Sequence, residues 1–329
     1  MLWVDITNLP HVPFFERFIK ARRCLVTARR HSFLEEMLRA RGISFISVGE
    51  HGLSREEKLI ASAERIIGLA KTLSGKRISA SIAKHSVEAP RVAFGLGIPH
   101  YHFVDNEYAE HQNRLTLSLC TRVIAPEATD REKLLEQGAT WKRLVTFRGV
   151  LEVVQVRGFA PDDSLIKSLR LGRFVLLRPP PLGAAYYQGR ERTQHAIDAL
   201  RGRGYQVVVI PRGEESYSRC VSLRNVDALS LAYHAEAVIS EGGTMNREAA
   251  LLGTPAISLY PQPLLGVDRY LIELGLMKHA RSVEEMLELL PDEGEKRELR
   301  ERAAREVAKM QDPFAVLERT MSEDAGGLI

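Results

Sequence analysis

Short apolar runs and helical patterns alternate along the chain in two series separated by a polar interval. In the first series the runs are LWVDI (2–6), CLVTA (24–28), ISFISV (43–48), ISASI (78–82), HYHFV (100–104) and RVIAP (122–126). Many are rich in Val and Ile, and their length suits buried strands. Between them lie patterns such as SREEKLIASAERIIGLAKTL (54–73), in which Leu59, Ile60, Ala63, Ile66, Ile67 and Ala70 recur at spacings of three and four. Such a stripe predicts an amphipathic helix with that side inward. Repeated strand, helix, strand order implies a parallel sheet covered on both faces.

From Glu152 to Leu171 the alternation lapses into a polar stretch containing FAPDDS. It restarts with RFVLLR (173–178), YQVVVIP (205–211), AEAVIS (235–240) and TPAISLY (254–260). A second parallel-sheet domain is the simplest account, and 329 residues is long for one core. The expected division is residues 1–151 and 152–329. After Ser282 the pattern is helical, and EGEKRELRERAAREVAKM reads as a surface helix in a tail of the second domain.

Composition narrows the class without naming it. With 45% hydrophobic and 27% charged residues the chain is globular. Cys24, Cys120 and Cys220 are odd in number and form no C-x-x-C pair, so the sequence reads as cytoplasmic, with no disulfide framework or zinc knuckle. No run of about 18 apolar residues suggests a membrane span. The net charge of +4 is modest, yet Arg17, Lys20, Arg22, Arg23, Arg29 and Arg30 crowd one span. Either they form a solvated face, or they meet an anionic membrane where a lipid-linked acceptor resides. Nucleic acid is not expected, because no recognition motif accompanies the charge.

The stretch SEGGTMNREAALLGTP (240–255) carries the most specific chemistry. An apolar run ends, Gly242 and Gly243 turn, Thr244 reads as the N-cap of a helix, and Gly253 closes it before Pro255. Glycines between a strand and a helix expose backbone N–H groups at the positive end of the helix dipole, a ready site for phosphate. Glu248 follows Thr244 by about one turn, roughly 6 Å along the axis. A carboxylate there can accept bonds from ribose hydroxyls while the diphosphate rests at the helix end. No G-x-G-x-x-G follows the first strand and no P-loop motif occurs.

This stretch resembles the donor motif of GT-B sugar-nucleotide enzymes, among them the UDP-N-acetylglucosamine 2-epimerases and the MurG-like glycosyltransferases. Together with WVDITNLPHVPFF, HFVDNEYAEHQNRLTLSLCTRVIAPEA, VLLRPPPLGAAYY and YLIELGL, it is similar to an uncharacterised GT-B-like family, domain of unknown function 354. The resemblance implies two Rossmann-like domains facing each other across a cleft, with the donor held by the second. In PFFERFIKARRCLVTARR the first helix has barely two turns before the next strand, several residues short of the family's usual length.

Three further groups are candidates for chemistry. His11 follows the first strand in TNLPHV, which resembles a histidine-bearing loop of the transferases; it reads as a general base for an acceptor hydroxyl or as a helix cap. In FVDNEYAEHQNR, Asp105 and Glu110 are candidate acids or bases, with a plain surface loop as the alternative. The epimerases show a second acid where this chain has His111 and an aspartate where it has Val87. Arg178 and Arg212 end strands of the second series and suit a departing diphosphate, unless each pairs with a neighbour. No metal is expected: D-x-D and H-E-x-x-H are absent, and His100 and His102 alternate along a strand as packing residues. The expected function is sugar transfer from a nucleoside-diphosphate donor, a UDP-sugar. The alternatives are 2-epimerisation of the same donor, or binding without catalysis.

Overall fold

The computed structural model describes residues 1–180, 182, 189, 191–292 and 294–326. The chain forms two compact units, Met1–Leu151 with Gln311–Ile329, and Glu152–Met310. In the first, seven strands lie in the order β3-β2-β1-β4-β5-β6-β7: β1 (Leu2–Ile6), β2 (Cys24–Ala28), β3 (Ile46–Ser47), β4 (Ala80–Lys84), β5 (His100–Phe103), β6 (Arg122–Pro126) and β7 (Leu144–Phe147). In the second, six lie in the order β10-β9-β8-β11-β12-β13: β8 (Phe174–Arg178), β9 (Gln206–Val209), β10 (Val221–Ser222), β11 (Ala237–Ser240), β12 (Ala256–Ser258) and β13 (Met277–His279). Every pairing is parallel. Strands β7, β10 and β13, which are not among the expected runs, are all edge strands, of four, two and three residues.

Both sheets reverse direction of growth once, between β1 and β4 and between β8 and β11. At such a switch point the loops leaving the carboxyl ends of the two strands diverge and open a crevice. The loops that leave these four strands lead into His11, His85, Pro179 and Gly242.

The tail departs from its expected domain. The helix Pro313–Gly326 belongs to the first unit, where Phe314 stacks on Phe18 and lies against Phe14, Phe15 and Phe103. Asp324 accepts from Arg122 Nε at 3.0 Å and from the Tyr101 hydroxyl at 3.1 Å. One aromatic residue in a polar tail finds its partners far away in sequence, which no local pattern encodes. The first helix is also longer than expected, starting at His11 and running ten residues to Lys20.

The helix Arg55–Leu73 forms where expected, and Ser54 and Glu57 close a capping box at its start. Its rotation differs. Leu59, Ile60 and Ile67 are 72%, 51% and 55% exposed, whereas Arg65 is fully buried. Arg65 donates to Asp5 Oδ1 at 2.6 Å, to Asp5 Oδ2 at 3.1 Å, to Glu88 Oε2 at 3.0 Å and to the carbonyl of Val48 at 2.9 Å. Asp5 also accepts from Thr27 and Ser86, each at 2.6 Å. Burial raises the Asp5 pKa, but Arg65 and the hydroxyls outweigh it and hold the carboxyl below its usual value. With two buried carboxylates to satisfy, the guanidinium sets the face that turns inward.

The basic crowd near the start is largely paired within its own unit. Lys20 meets Glu16, Arg22 meets Glu318, Arg30 meets Glu50, and Arg29 donates to Asn8. Among the described residues no helix is long and apolar enough to cross a membrane.

Removing one partner of a buried ion pair leaves the other charged and unpaired, at a cost of about 3–5 kcal/mol. Arg65→Ala is therefore expected to lower the unfolding free energy by that amount in urea titrations, and a loss below about 1 kcal/mol would contradict the account.

Candidate functional site

In the second unit the site starts from β8 and β11, adjacent parallel strands in which Arg178 lies in register with Ser240. Beyond Ser240 the chain turns through Glu241 and Gly242. The Gly242 N–H donates to the Ser240 hydroxyl, which donates in turn to the Gly242 carbonyl, both at 2.8 Å. The helix then runs Gly243–Leu251 with Gly242 as its N-cap and no side chain capping it. Thr244 is thus inside the first turn rather than the cap. The uncapped N–H groups and the dipole favour an anion at this end.

The two glycines make room for arginines. A Cβ at Gly242 would collide with the Arg212 guanidinium, and one at Gly243 with that of Arg247. Arg247 is buried between Asp268, at 2.6 Å, and Glu152, at 3.2 Å. A side chain at 243 would disturb this cluster before it met any ligand. Glu241 is also structural, buried and paired with Arg192 at 2.9 Å. Neither arrangement has a sequence signal, since the partners come from separate elements without fixed spacing.

Arg212 is anchored by its Nε to the carbonyl of Pro179 at 2.7 Å. The Arg178 side chain has no hydrogen bond or ion pair among the described residues, and its pKa is displaced. Burial, and then the charge of Arg212, push it down to about 10, against the pull of Glu248 and Glu215. It therefore remains cationic at neutral pH. Glu248 is buried on the same helix and accepts from Gln155 Nε2 at 3.4 Å. Arg178, Arg212, Gly242, Gly243, Thr244 and Glu248 thus share one end of the second sheet. The run PPPLGAAYY, apart from Pro179, Pro180 and Leu182, lies outside the described residues.

In the first unit, His11 and Asp105 come together at the carboxyl end of the sheet and Glu110 does not. Asp105 is buried after β5 and accepts from Lys84 Nζ at 3.1 Å and His85 Nε2 at 2.8 Å. Its charge is felt at His11, as are those of Lys84 and His85. Glu110 is exposed in the first turn of its helix and pairs with Arg114 at 2.8 Å.

His85 was not anticipated, although it lies in KHSVEAP beside Val87. It takes φ +48°, an unusual angle for a residue other than glycine. Its Nε2 stands 2.8 Å from Asp105 Oδ1 and 3.4 Å from the Asp105 backbone nitrogen, so Asp105 orients the ring. His11 is buried at the start of its helix, with Nδ1 3.5 Å from the Thr7 N–H and 3.4 Å from the Thr7 hydroxyl. Burial, with Lys84, His85 and Arg29, holds its pKa well below the usual value despite Asp105.

Comparison with known proteins gives the fold and the family. The likenesses to solved structures give the class of fold, the GT-B arrangement of two parallel-sheet units. A putative UDP-N-acetylglucosamine 2-epimerase from Listeria monocytogenes is similar at a TM-score of 0.71 and 15% identity, over 96% of this chain and 93% of its own. HepE of Anabaena, solved in complex with UDP-glucose, is similar at 0.65 and 14%, over 99% and 100%. The chain belongs to the family described as protein of unknown function (DUF354), whose model matches residues 1–324. An uncharacterized protein of Methanocaldococcus jannaschii is 40% identical over 312 residues, 88% of this chain and 91% of the relative.

Unfolding would free His11 to take a proton near pH 6.5, whereas the folded chain holds it neutral to a lower pH. The unfolded state then binds more protons, so stability falls as pH drops below about 6.5, by up to about 1.4 kcal/mol per unit from this residue. His11→Gln is expected to be less sensitive than the parent chain to acidification from pH 7.5 to 5.5 in urea titrations. Equal slopes for the two would contradict the linkage.

Proposed function

We propose that the chain binds a nucleoside-diphosphate sugar, a UDP-sugar, at the carboxyl end of its second sheet and transfers the sugar to an acceptor hydroxyl. The observation that carries this reading is Arg178, a partly buried cation with no partner among the described residues. It stands in register with the strand that feeds the uncapped helix end. A diphosphate supplies the charge that Arg178 and the helix end together favour. Glu248, one turn into the helix, is the acceptor for the ribose hydroxyls. HepE, whose fold is similar, is solved with UDP-glucose, which supports the same donor class.

In transfer, the acceptor loses a proton as the sugar's bond to the diphosphate breaks, so one base and stabilisation of the departing anion are enough. Arg178, Arg212 and the helix end supply the second. For a base, the first unit carries His85, oriented by Asp105, with His11 neutral beside it. Epimerisation instead needs proton transfer on two faces of the sugar. Glu110 is turned outward onto Arg114, and Val87 and His111 replace acids of the epimerase pattern, which favours transfer.

Arg178→Ala is expected to weaken UDP binding at least tenfold by calorimetry, and Glu248→Gln to weaken UDP more than inorganic diphosphate, with the thermal transition kept in both. Unchanged UDP affinity in a folded Arg178→Ala chain would remove the donor site.

The second test concerns the reaction. With UDP-sugar alone the protein should not exchange solvent deuterium into the sugar, and with acceptor it should release UDP. His85→Asn keeps a residue that tolerates the left-handed backbone and should slow that release by roughly 10²- to 10⁴-fold, the usual share of a general base. His11→Ala measures the other imidazole on the same scale. Rapid deuterium uptake without acceptor would establish epimerisation in place of transfer.

A further inference from the structure

A second cluster starts on β5, with the His102 ring 6.4 Å from that of His85. His100 and His102 are two residues apart on β5, so both side chains leave the same face of the strand. Cys120 ends the segment that enters the neighbouring strand, β6. The backbone pins it there: the His100 N–H donates to the Thr121 hydroxyl at 2.9 Å, and the Thr121 N–H donates to the His100 carbonyl at 2.8 Å. Each of the three offers one donor atom, and all of these lie within 4.8 Å of one another. The residues are 0%, 1% and 2% exposed, and apolar neighbours such as Val104, Leu117 and Val123 surround the thiol.

We propose that His100, His102 and Cys120 form a structural site for a thiophilic metal ion, zinc or copper(I), that clips β5 to the start of β6. The facing nitrogens, His100 Nε2 and His102 Nδ1, are 3.1 Å apart. Two nitrogens bound to one tetrahedral zinc at the usual bond length are separated by about 3.3 Å, so both imidazoles already stand near ligand positions. The outer partner of a metal-bound histidine is also in place, because His100 Nδ1 lies 2.9 Å from the Ser81 hydroxyl. With the Ser81 hydroxyl accepting from Nδ1, Nε2 is free for the metal. Two imidazoles and a thiolate with no oxygen donor suit zinc or copper and not magnesium, calcium or manganese.

In the metal-free chain the facing nitrogens share one hydrogen bond, and the Cys120 thiol donates to the Thr116 carbonyl at 3.2 Å. On binding, one imidazole moves its proton to its outer nitrogen, and the thiol releases its proton to solvent. One proton therefore leaves per ion, and no oxidation is involved.

The experiment loads the untagged full chain during expression, in separate cultures supplemented with zinc, cobalt or copper salts, and measures metal content after purification in metal-free buffer. About one equivalent of zinc or copper is expected, lost in Cys120→Ser and in His102→Asn, and retained in the double variant Cys24→Ser with Cys220→Ser. In that double variant Cys120 is the remaining thiol, so the cobalt form should show a thiolate-to-cobalt charge-transfer band. This readout stands even if Cys120→Ser does not fold. Less than a tenth of an equivalent in the zinc and copper cultures would overturn the proposal, as would an equal load in folded Cys120→Ser or a cobalt form without the band.

Discussion

The first unit is organised around one buried cation. Arg65 reaches Asp5 on β1 and Glu88 just after β4, while Asp5 gathers the hydroxyls of Thr27 on β2 and Ser86 beyond β4. Trp3 adds its indole N–H to the same Thr27 hydroxyl at 2.8 Å. Neither charge could remain in an apolar interior alone, and each is tolerated because the other satisfies it. The network therefore fixes the carboxyl ends of three strands relative to one another. The loops that carry His11 and His85 start from those ends, so a structural ion pair sets where the candidate chemistry stands.

The two switch points are electrostatically unlike. In the second unit Arg178 and Arg212 approach the end of a helix, giving a positive site. In the first unit the charges of Lys84 and Asp105 meet in a pair, and His11 is neutral beside them. The contrast lies in the charges at each crevice and not in the sheets, which share the same parallel plan.

The glycine pair after β11 serves the fold as well as any ligand. Gly242 and Gly243 admit the Arg212 and Arg247 guanidinium groups, and Arg247 in turn joins Glu152 to Asp268. The positive character of the turn thus arises in part from side chains that only glycine leaves space for. A glycine pair read purely as a phosphate cradle misses this packing, because neighbours in space are not neighbours in the motif.

The sequence by itself determined the two parallel sheets, since strand and helix periodicities are local properties of the chain, and short strands in βα order leave few other arrangements. It also determined that glycines, Arg178 and Glu248 gather after β8 and β11, because strand ends and helix starts are written in residue order. Tertiary structure alone decided the rest. Leu59, Ile60 and Ile67 mark an apolar stripe, yet the desolvation of Arg65 turned the helix the other way. Phe314 drew the tail to four distant phenylalanines. Asp105, rather than any motif, picked out His85 and oriented its ring, while Glu110 found Arg114 one turn away and stayed outside. In each case the deciding term is the cost of burying a charge or the gain of burying a ring. Both depend on partners brought from far along the chain, and no window of local sequence contains them.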